Sequence, residues 1–269
     1  MVNKENMKEL TSKHFMAREK IRYKNKLELE YMRQNGRVLA ELLEKIKEII
    51  APGISTLDLD RIAEEFILSR NGVPSFKGYE GFPASICASI NQVVIHGIPS
   101  KNDILKEGDI IGVDVGMFRN NLHADTAYTF KIGKIDEKKE ILCRVTQEAL
   151  QLGIAAAHNG RTLFDVSNAI QTHVEKHGFS VVREFVGHGV GNDLHEPPQI
   201  PNYRKNGLSK IKLRPGMTLA IEPMVNAGCQ DIVVRDDQWT ICTADGEPSA
   251  HYEHTVAVTE NGPLILTAL

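Results

Sequence analysis

Ile110-Ile111-Gly112-Val113-Asp114-Val115-Gly116 is an apolar β-strand phrase broken by one carboxylate, and it decides how the rest of the chain is read. Asp125 stands eleven residues on, ahead of the apolar-rich run Thr126-Ala127-Tyr128-Thr129-Phe130. Glu222 closes Met217-Thr218-Leu219-Ala220-Ile221-Glu222-Pro223, and Glu253 opens Glu253-His254-Thr255-Val256-Ala257-Val258. A carboxylate carried into an apolar interior without a partner is very costly. Few Arg or Lys lie beside these four, so divalent metal is the simplest partner for them.

Aspartate, glutamate and histidine suit Mn, Fe, Co or Zn, and the carboxylate excess favours the harder ions. The histidine candidates are His96, His188 and His195. His188 lies in Val186-Gly187-His188-Gly189-Val190-Gly191, whose glycines admit close approach of backbone and solvent. Four carboxylates against two divalent ions give a neutral cluster, whereas one ion leaves an anionic excess. Taken singly, each residue has an ordinary explanation, such as a hydrogen-bonded buried Asp or a loop His. The ordered set of Asp, Asp, His, Glu and Glu is harder to explain as five accidents.

The chain has 269 residues, 42% hydrophobic and 25% charged, with a net charge of −3. That suits one large α/β domain or two small ones and argues against binding nucleic acid through bulk positive charge. No apolar run approaches the length of a membrane span, and the Lys/Glu-mixed start lacks an apolar signal core, so a cytoplasmic protein is expected. Cys87, Cys143, Cys229 and Cys242 are widely spaced and read as reduced, mostly buried thiols. Residues 1–26 carry eight Lys or Arg among Glu5, Glu9 and Glu19. They read as a solvated extension, with a ribosome contact as the sharper alternative.

From Leu27 the pattern turns helical. Leu39, Leu42, Leu43, Ile46, Ile49 and Ile50 recur at three- and four-residue spacing until Pro52-Gly53. Ser55 or Thr56 is the expected cap of a second helix, with Asp58 and Asp60 in its first turn, closing at Asn71-Gly72. Helices near 141–158 and 163–177 repeat the plan. Gly53, Ser55, Asp58, Leu59 and Ile67 fall on Gly160, Thr162, Asp165, Val166 and Val174 at a constant offset of 107, which suggests an internal duplication. Strands are expected near 110–115, 126–132, 181–186, 217–222, 231–235, 239–243 and 252–258. Two helix pairs, each followed by strands, imply a pseudo-symmetric α+β sandwich with the carboxylates on strands or at strand ends.

These phrases resemble type I methionine aminopeptidases of the pita-bread metallopeptidase superfamily. The matching stretches are Ser89-Ile90-Asn91-Gln92-Val93-Val94-Ile95-His96-Gly97-Ile98-Pro99, Gly112–Gly116, Ala124-Asp125-Thr126-Ala127, Gly187–Gly191, Ile221-Glu222-Pro223-Met224-Val225-Asn226-Ala227-Gly228 and Tyr252-Glu253-His254-Thr255. The resemblance runs from about residue 28 to the end. It implies a pseudo-two-fold pita-bread fold, an antiparallel sheet core flanked by two helix pairs, with one catalytic domain over 27–269. It implies removal of the initiator methionine from nascent polypeptides by hydroxide activated between two divalent metals, with small second residues favoured. Asp114, Asp125, His188, Glu222 and Glu253 are then the ligands, Asp125 and Glu253 bridging. His96 and His195 are the substrate-binding catalytic histidines, and Glu222 the proton shuttle to the leaving amine. Phe76, Tyr79, Phe82, Cys87, Leu194 and Trp239 form the methionine pocket; unaided, those aromatics read as core. A monomer is expected.

No cysteine precedes Cys87, so the zinc-finger extension of eukaryotic type I members is missing. Only 26 residues separate His195 from Glu222, too few for the helical insertion of type II enzymes. His251 stands where Gln is expected, on the same strand face as Glu253, and is a candidate to tune the metal. The rival readings are a prolidase or aminopeptidase P, which usually carry a large extra N-terminal domain, and a catalytically dead relative, which typically loses ligands.

Overall fold

Capping sets where each helix begins. The computed structural model describes residues 20–269, so the extension expected over 1–26 lies outside the described residues as far as residue 19. Helix α1, Lys26–Ile49, starts at Asn25, whose side chain accepts from the N–H groups of Leu27 and Glu28 while Glu28 accepts from Asn25 N–H. Helix α2, Thr56–Ser69, opens with the same reciprocal box between Ser55 and Asp58. Asp60 does not serve the first turn as expected. It is buried and accepts from the N–H groups of Ser85 and Ile86, tying α2 to the sheet.

Helices α3, Glu137–Ala156, and α4, Leu163–Lys176, form the second pair. Helix α4 follows α2 by 107 residues at both ends, and Thr162 with Asp165 repeats the Ser55–Asp58 box. The duplication seen in five residues thus extends to whole elements.

The strands are β1 Val73–Pro74, β2 Ile86–Ile90, β3 Val93–Ile95, β4 Ile110–Arg119, β5 Leu122–Lys131, β6 Ser180–Val181, β7 Gly187–Gly189 and β8 Glu196–Ile200. They continue with β9 Thr218–Ile221, β10 Met224–Asn226, β11 Ile232–Val234, β12 Ile241–Thr243, β13 Ser249–His251, β14 Glu253–Thr259 and β15 Gly262–Ile265. A nine-stranded antiparallel sheet runs β1-β4-β5-β14-β9-β7-β8, with β2 also on β4 and β15 also on β14. Two three-stranded sheets, β13-β10-β6 and β11-β12-β3, lie beside it.

Alternation along the strands sorts core from site. Ile111, Val113, Val115 and Met117 of β4 pack with Leu39, Leu42 and Ile46 of α1 and Leu59, Ala63 and Ile67 of α2. Leu219 and Ile221 of β9 and Val256 and Val258 of β14 pack with Leu150 and Ile154 of α3 and Val166, Ile170 and Val174 of α4. The residues between them, Asp114, Glu253 and Ala220 among others, point to the opposite face.

The expected strand over 181–186 is cut to Ser180–Val181. Beyond Val182 the chain turns away: the Arg183 guanidinium lies over the Tyr203 ring at 5.6 Å, and Phe185 meets His96 edge-on at 5.6 Å. All four cysteines are free, three of them buried and Cys229 exposed. Among the described residues no helix is long and apolar enough to cross a membrane.

Candidate functional site

Register brings the five candidate ligands to one face of the large sheet. Asp114 is paired with Ala127, and Ala127 with Glu253, so two carboxylates face each other across one alanine. Asp125 is two residues along the middle strand, opposite Gly116. Ile221 pairs with His254, so Glu222, one residue further, stands opposite Glu253. His188 pairs with Ala220 on the same face. Gly116, Ala127 and Ala220 are small, which leaves room between the strands for polar heads. At Gly116 a Cβ would come within 2.9 Å of Phe76, so glycine there lets an aromatic wall close on the cluster.

The backbone under the site is stitched by threonines. Thr126 Oγ1 donates to Glu253 O at 2.7 Å, and Thr255 Oγ1 donates to Asp125 O at 2.7 Å. Ligand atoms of Asp125, His188 and Glu253 lie within 4.8 Å of one another. Asp114 is close enough to Asp125 and Glu222 to be repelled by both, and Glu222 Oε1 lies 3.4 Å from His188 Nε2. The five therefore form one connected cluster.

Burial and mutual repulsion govern its electrostatics. Burial, then repulsion from Asp125 and Glu222, pushes Asp114 well above the usual carboxylate range. Burial and the neighbouring carboxylates do the same to Glu253, and burial and Asp125 to Glu222. Burial raises Asp125 to about 7. Asp114 Oδ1, Asp125 Oδ1 and Glu253 Oε1 are buried with no hydrogen-bond partner. Orphaned carboxylate oxygens of this kind are expensive unless something positive meets them.

His188 is already set as a ligand would be. Its Nδ1 hydrogen-bonds Gly189 O at 2.9 Å, which leaves Nε2 facing Glu222 and Asp125. Burial lowers its pKa to about 4, so the ring is neutral and can donate a lone pair. The residues present thus fit a divalent metal: hard oxygen donors, one imidazole and net negative charge.

An apolar group of side chains adjoins this cluster. Phe76, Phe82, Cys87 and Leu194 are buried together, with Tyr79 and Trp239 packed against them. Cys87 sits opposite Asp114 in the β2–β4 ladder, which fixes this apolar group to the carboxylates. All six residues expected in the methionine pocket are thereby in contact as one group. The His195 and His188 rings stand 4.2 Å apart, and Tyr79 hydroxyl and His195 Nδ1 share a hydrogen bond of 2.8 Å. His96 lies between Phe185 and Trp239, at ring separations of 5.6 and 6.3 Å. Its φ of +58° is left-handed, a costly conformation for a non-glycine residue and one found at sites where a side chain must be aimed.

His251 reaches the cluster by another route than a shared strand with Glu253. It ends β13 in a separate sheet, and Thr129 anchors it by two hydrogen bonds, from its hydroxyl to His251 O and from His251 N–H. Its Nε2 is buried without a hydrogen bond, 3.7 Å from Glu222 Oε2.

One element was missed in the sequence. Lys24, in the stretch expected as a solvated extension, is buried and its ammonium pairs with Glu196, the neighbour of His195. A Cβ at Gly191 would lie 2.1 Å from Lys24 Cε, so glycine opens the path for the lysine. Arg22, 3.7 Å from Glu196, adds a weaker contact. No local signal marks the pairing of Lys24 with Glu196, since Glu196 stands in the polar stretch Asn192-Asp193-Leu194-His195-Glu196. Lys24→Ala leaves that carboxylate buried with little compensation, and urea unfolding is expected to show a loss of about 3 kcal/mol. A change within 0.5 kcal/mol would mean that Arg22, the Asp193 N–H and water satisfy Glu196 without the lysine.

The family model for metallopeptidase family M24 matches residues 30–260. A methionine aminopeptidase of Clostridium acetobutylicum is 51% identical over 244 residues, covering 91% of this chain and 97% of that protein. Methionine aminopeptidase 1 of Bacillus subtilis is 51% identical over 240 residues, covering 89% and 96%. The crystal structure of a methionine aminopeptidase from Thermotoga maritima superposes with a TM-score of 0.91 at 45% identity, covering 93% of this chain and all of that one.

Proposed function

This chain belongs to metallopeptidase family M24, and from that premise we infer that it is a metal-dependent, type I aminopeptidase of the pita-bread fold that removes N-terminal methionine from polypeptides. The observation that carries the reading is the set of buried, partnerless carboxylate oxygens beside an apolar cluster. We propose that Asp114, Asp125, His188, Glu222 and Glu253 hold two divalent ions, since four carboxylates are neutralised by two such charges and not by one. Bound there, the ions supply a water acidified from pKa ~15.7 toward about 7 and Lewis-acid polarisation of the scissile carbonyl.

The side chains do the rest. The pocket of Phe76, Phe82, Cys87, Leu194, Tyr79 and Trp239 buries the methionine side chain and fixes which peptide bond is presented. His195, braced by Tyr79, hydrogen-bonds the oxyanion. His96, aimed by its left-handed backbone, hydrogen-bonds the amide nitrogen of the second residue. Glu222 carries the proton to the leaving amine. The second residue must fit beside His96, so small ones are favoured. The substrate amine must be free to reach the carboxylate cluster, which makes the enzyme an exopeptidase. The enzyme works as a monomer, with residues 27–269 as a single catalytic unit to which Lys24 is tied through Glu196.

Protein supplied with Mn(II) or Co(II) is expected to release methionine from Met-Ala-Ser and to leave X-Pro peptides intact. Preference for X-Pro substrates would replace this reading by that of a prolidase. His96→Ala is expected to lower kcat/KM about 100-fold, the lower end of what a positioned proton-handling group contributes. Metal content by elemental analysis is expected to be unchanged in that variant; full activity would remove His96 from the mechanism.

A further inference from the structure

Helices α3 and α4 carry a second group of ligand-type side chains that the peptidase chemistry does not use. His173 and His177 lie one turn apart at the end of α4, His177 being its C-cap, and Glu148 faces them from α3. One ligand atom of each lies within 4.8 Å of the other two, and all three residues are partly exposed. His173 Nε2 and Glu148 Oε2 are 2.9 Å apart, and the two imidazole rings are 4.6 Å apart. We propose that Glu148, His173 and His177 form a surface site for a borderline divalent metal of the Zn(II), Ni(II) or Cu(II) type, which clamps α3 to α4.

Three features support it independently of proximity. His177 Nδ1 donates to His173 O at 2.9 Å, which in the neutral ring assigns the lone pair to Nε2. A metal-ligating histidine is ordinarily oriented by this kind of bond on its other nitrogen. Glu148 is kept as a carboxylate: burial acts against it, but the hydrogen bonds of Arg144 and His173 outweigh that and lower its pKa. Arg144 holds Oε1 at 3.0 Å, so Oε2 is the oxygen turned to the histidines. The C-terminal end of α4 also carries partial negative charge from its unpaired carbonyls, which favours a cation there. Two imidazoles and one carboxylate, with water completing the shell, are a donor set for Zn(II) rather than for Mg(II) or Ca(II). Helix spacing fixes the two histidines relative to each other, and the packing of Ile170 and Val174 against α3 fixes Glu148 relative to both.

The test uses untagged full-length protein loaded with Mn(II). Wild type is expected to be retained on immobilised Ni(II), and to bind one more zinc per chain at equilibrium dialysis than His177→Ala. Release of methionine from Met-Ala-Ser should be equal in both, which certifies that the variant is folded. His173→Gln should lose the same zinc equivalent, and Glu148→Gln should weaken it. Zinc-soaked crystals should show an anomalous peak between the three side chains. Equal zinc content and equal retention of wild type and His177→Ala would overturn the proposal, as would an anomalous map with no peak at that position.

Discussion

Asp125→Asn is expected to lower kcat/KM on Met-Ala-Ser by at least about 10³-fold, with a parallel loss of bound metal. Asp125 is the carboxylate that every other member of the cluster meets: His188 at 4.0 Å, and Asp114, Glu222 and Glu253 through repulsion. The amide is nearly isosteric but brings no charge and exposes an N–H₂ group to its neighbours. Lewis-acid assistance is worth several kcal/mol, and each ~1.4 kcal/mol is tenfold in rate, which sets the scale of the loss. The loss exceeds the roughly 10–100-fold that follows removal of a partner of a ligand. Retention of metal with normal turnover would mean that the other four ligands suffice, and the cluster as described would be wrong. A fold check by near-UV circular dichroism separates this from collapse of the variant.

The ligands were legible because a carboxylate inside an apolar strand phrase stands out in one dimension. Asp114, with Val113 and Val115 on either side, is the clearest case: alternation alone says that its face differs from theirs. The helices were legible for a similar reason, since caps and three-four periodicity are local; Ser55–Asp58 and Thr162–Asp165 mark both starts. What the sequence could not supply was pairing between distant segments. Nothing local says that β14 inserts between β5 and β9, yet that insertion brings Glu253 level with Asp114. Gly187–Gly189 and Glu196–Ile200 were not expected as strands because glycine and proline are breakers by propensity, and ladder formation in context overrides that. Phe76, Tyr79, Phe82 and Trp239 carry no one-dimensional mark that separates pocket from core, and only the family resemblance distinguished them. Lys24 and Glu196 are 172 residues apart, so their pairing had no local trace.

Metal-free protein is expected to lose stability as pH rises from 7 to 8, by about 3 kcal/mol if two carboxyl groups remain protonated in the folded state, at ~1.4 kcal/mol per group per pH unit. Asp114, Glu222 and Glu253 have folded pKa values well above those of the unfolded chain, because burial and mutual repulsion oppose ionisation. Over this window the folded state therefore binds more protons than the unfolded state, and stability falls with rising pH. For Asp125, raised to about 7, the corresponding stability is present below about 4 and lost by about 7. The histidines act the other way at lower pH. Burial depresses His123, His188 and His254 to about 4 and His251 to about 3, so the stability they lend is present above about 6.5 and falls away on acidification. Between pH 4 and 6.5 the two sets oppose each other and the curve flattens. Above pH 8 the buried Cys87 and Cys143 thiols, raised by burial, add a slope of their own, which confines the clean measurement to pH 7–8. Thermal unfolding after chelation should show the midpoint falling by several degrees across that single unit, while metal-loaded protein shows no such fall, because the ions hold the carboxylates ionised. Asp125→Asn should reduce the slope of the metal-free curve, since it removes the charge that repels the others. A flat metal-free curve from pH 7 to 8 would mean that the four carboxyl groups ionise in the folded chain without a cation. The physical reason for expecting metal at this position would then be gone.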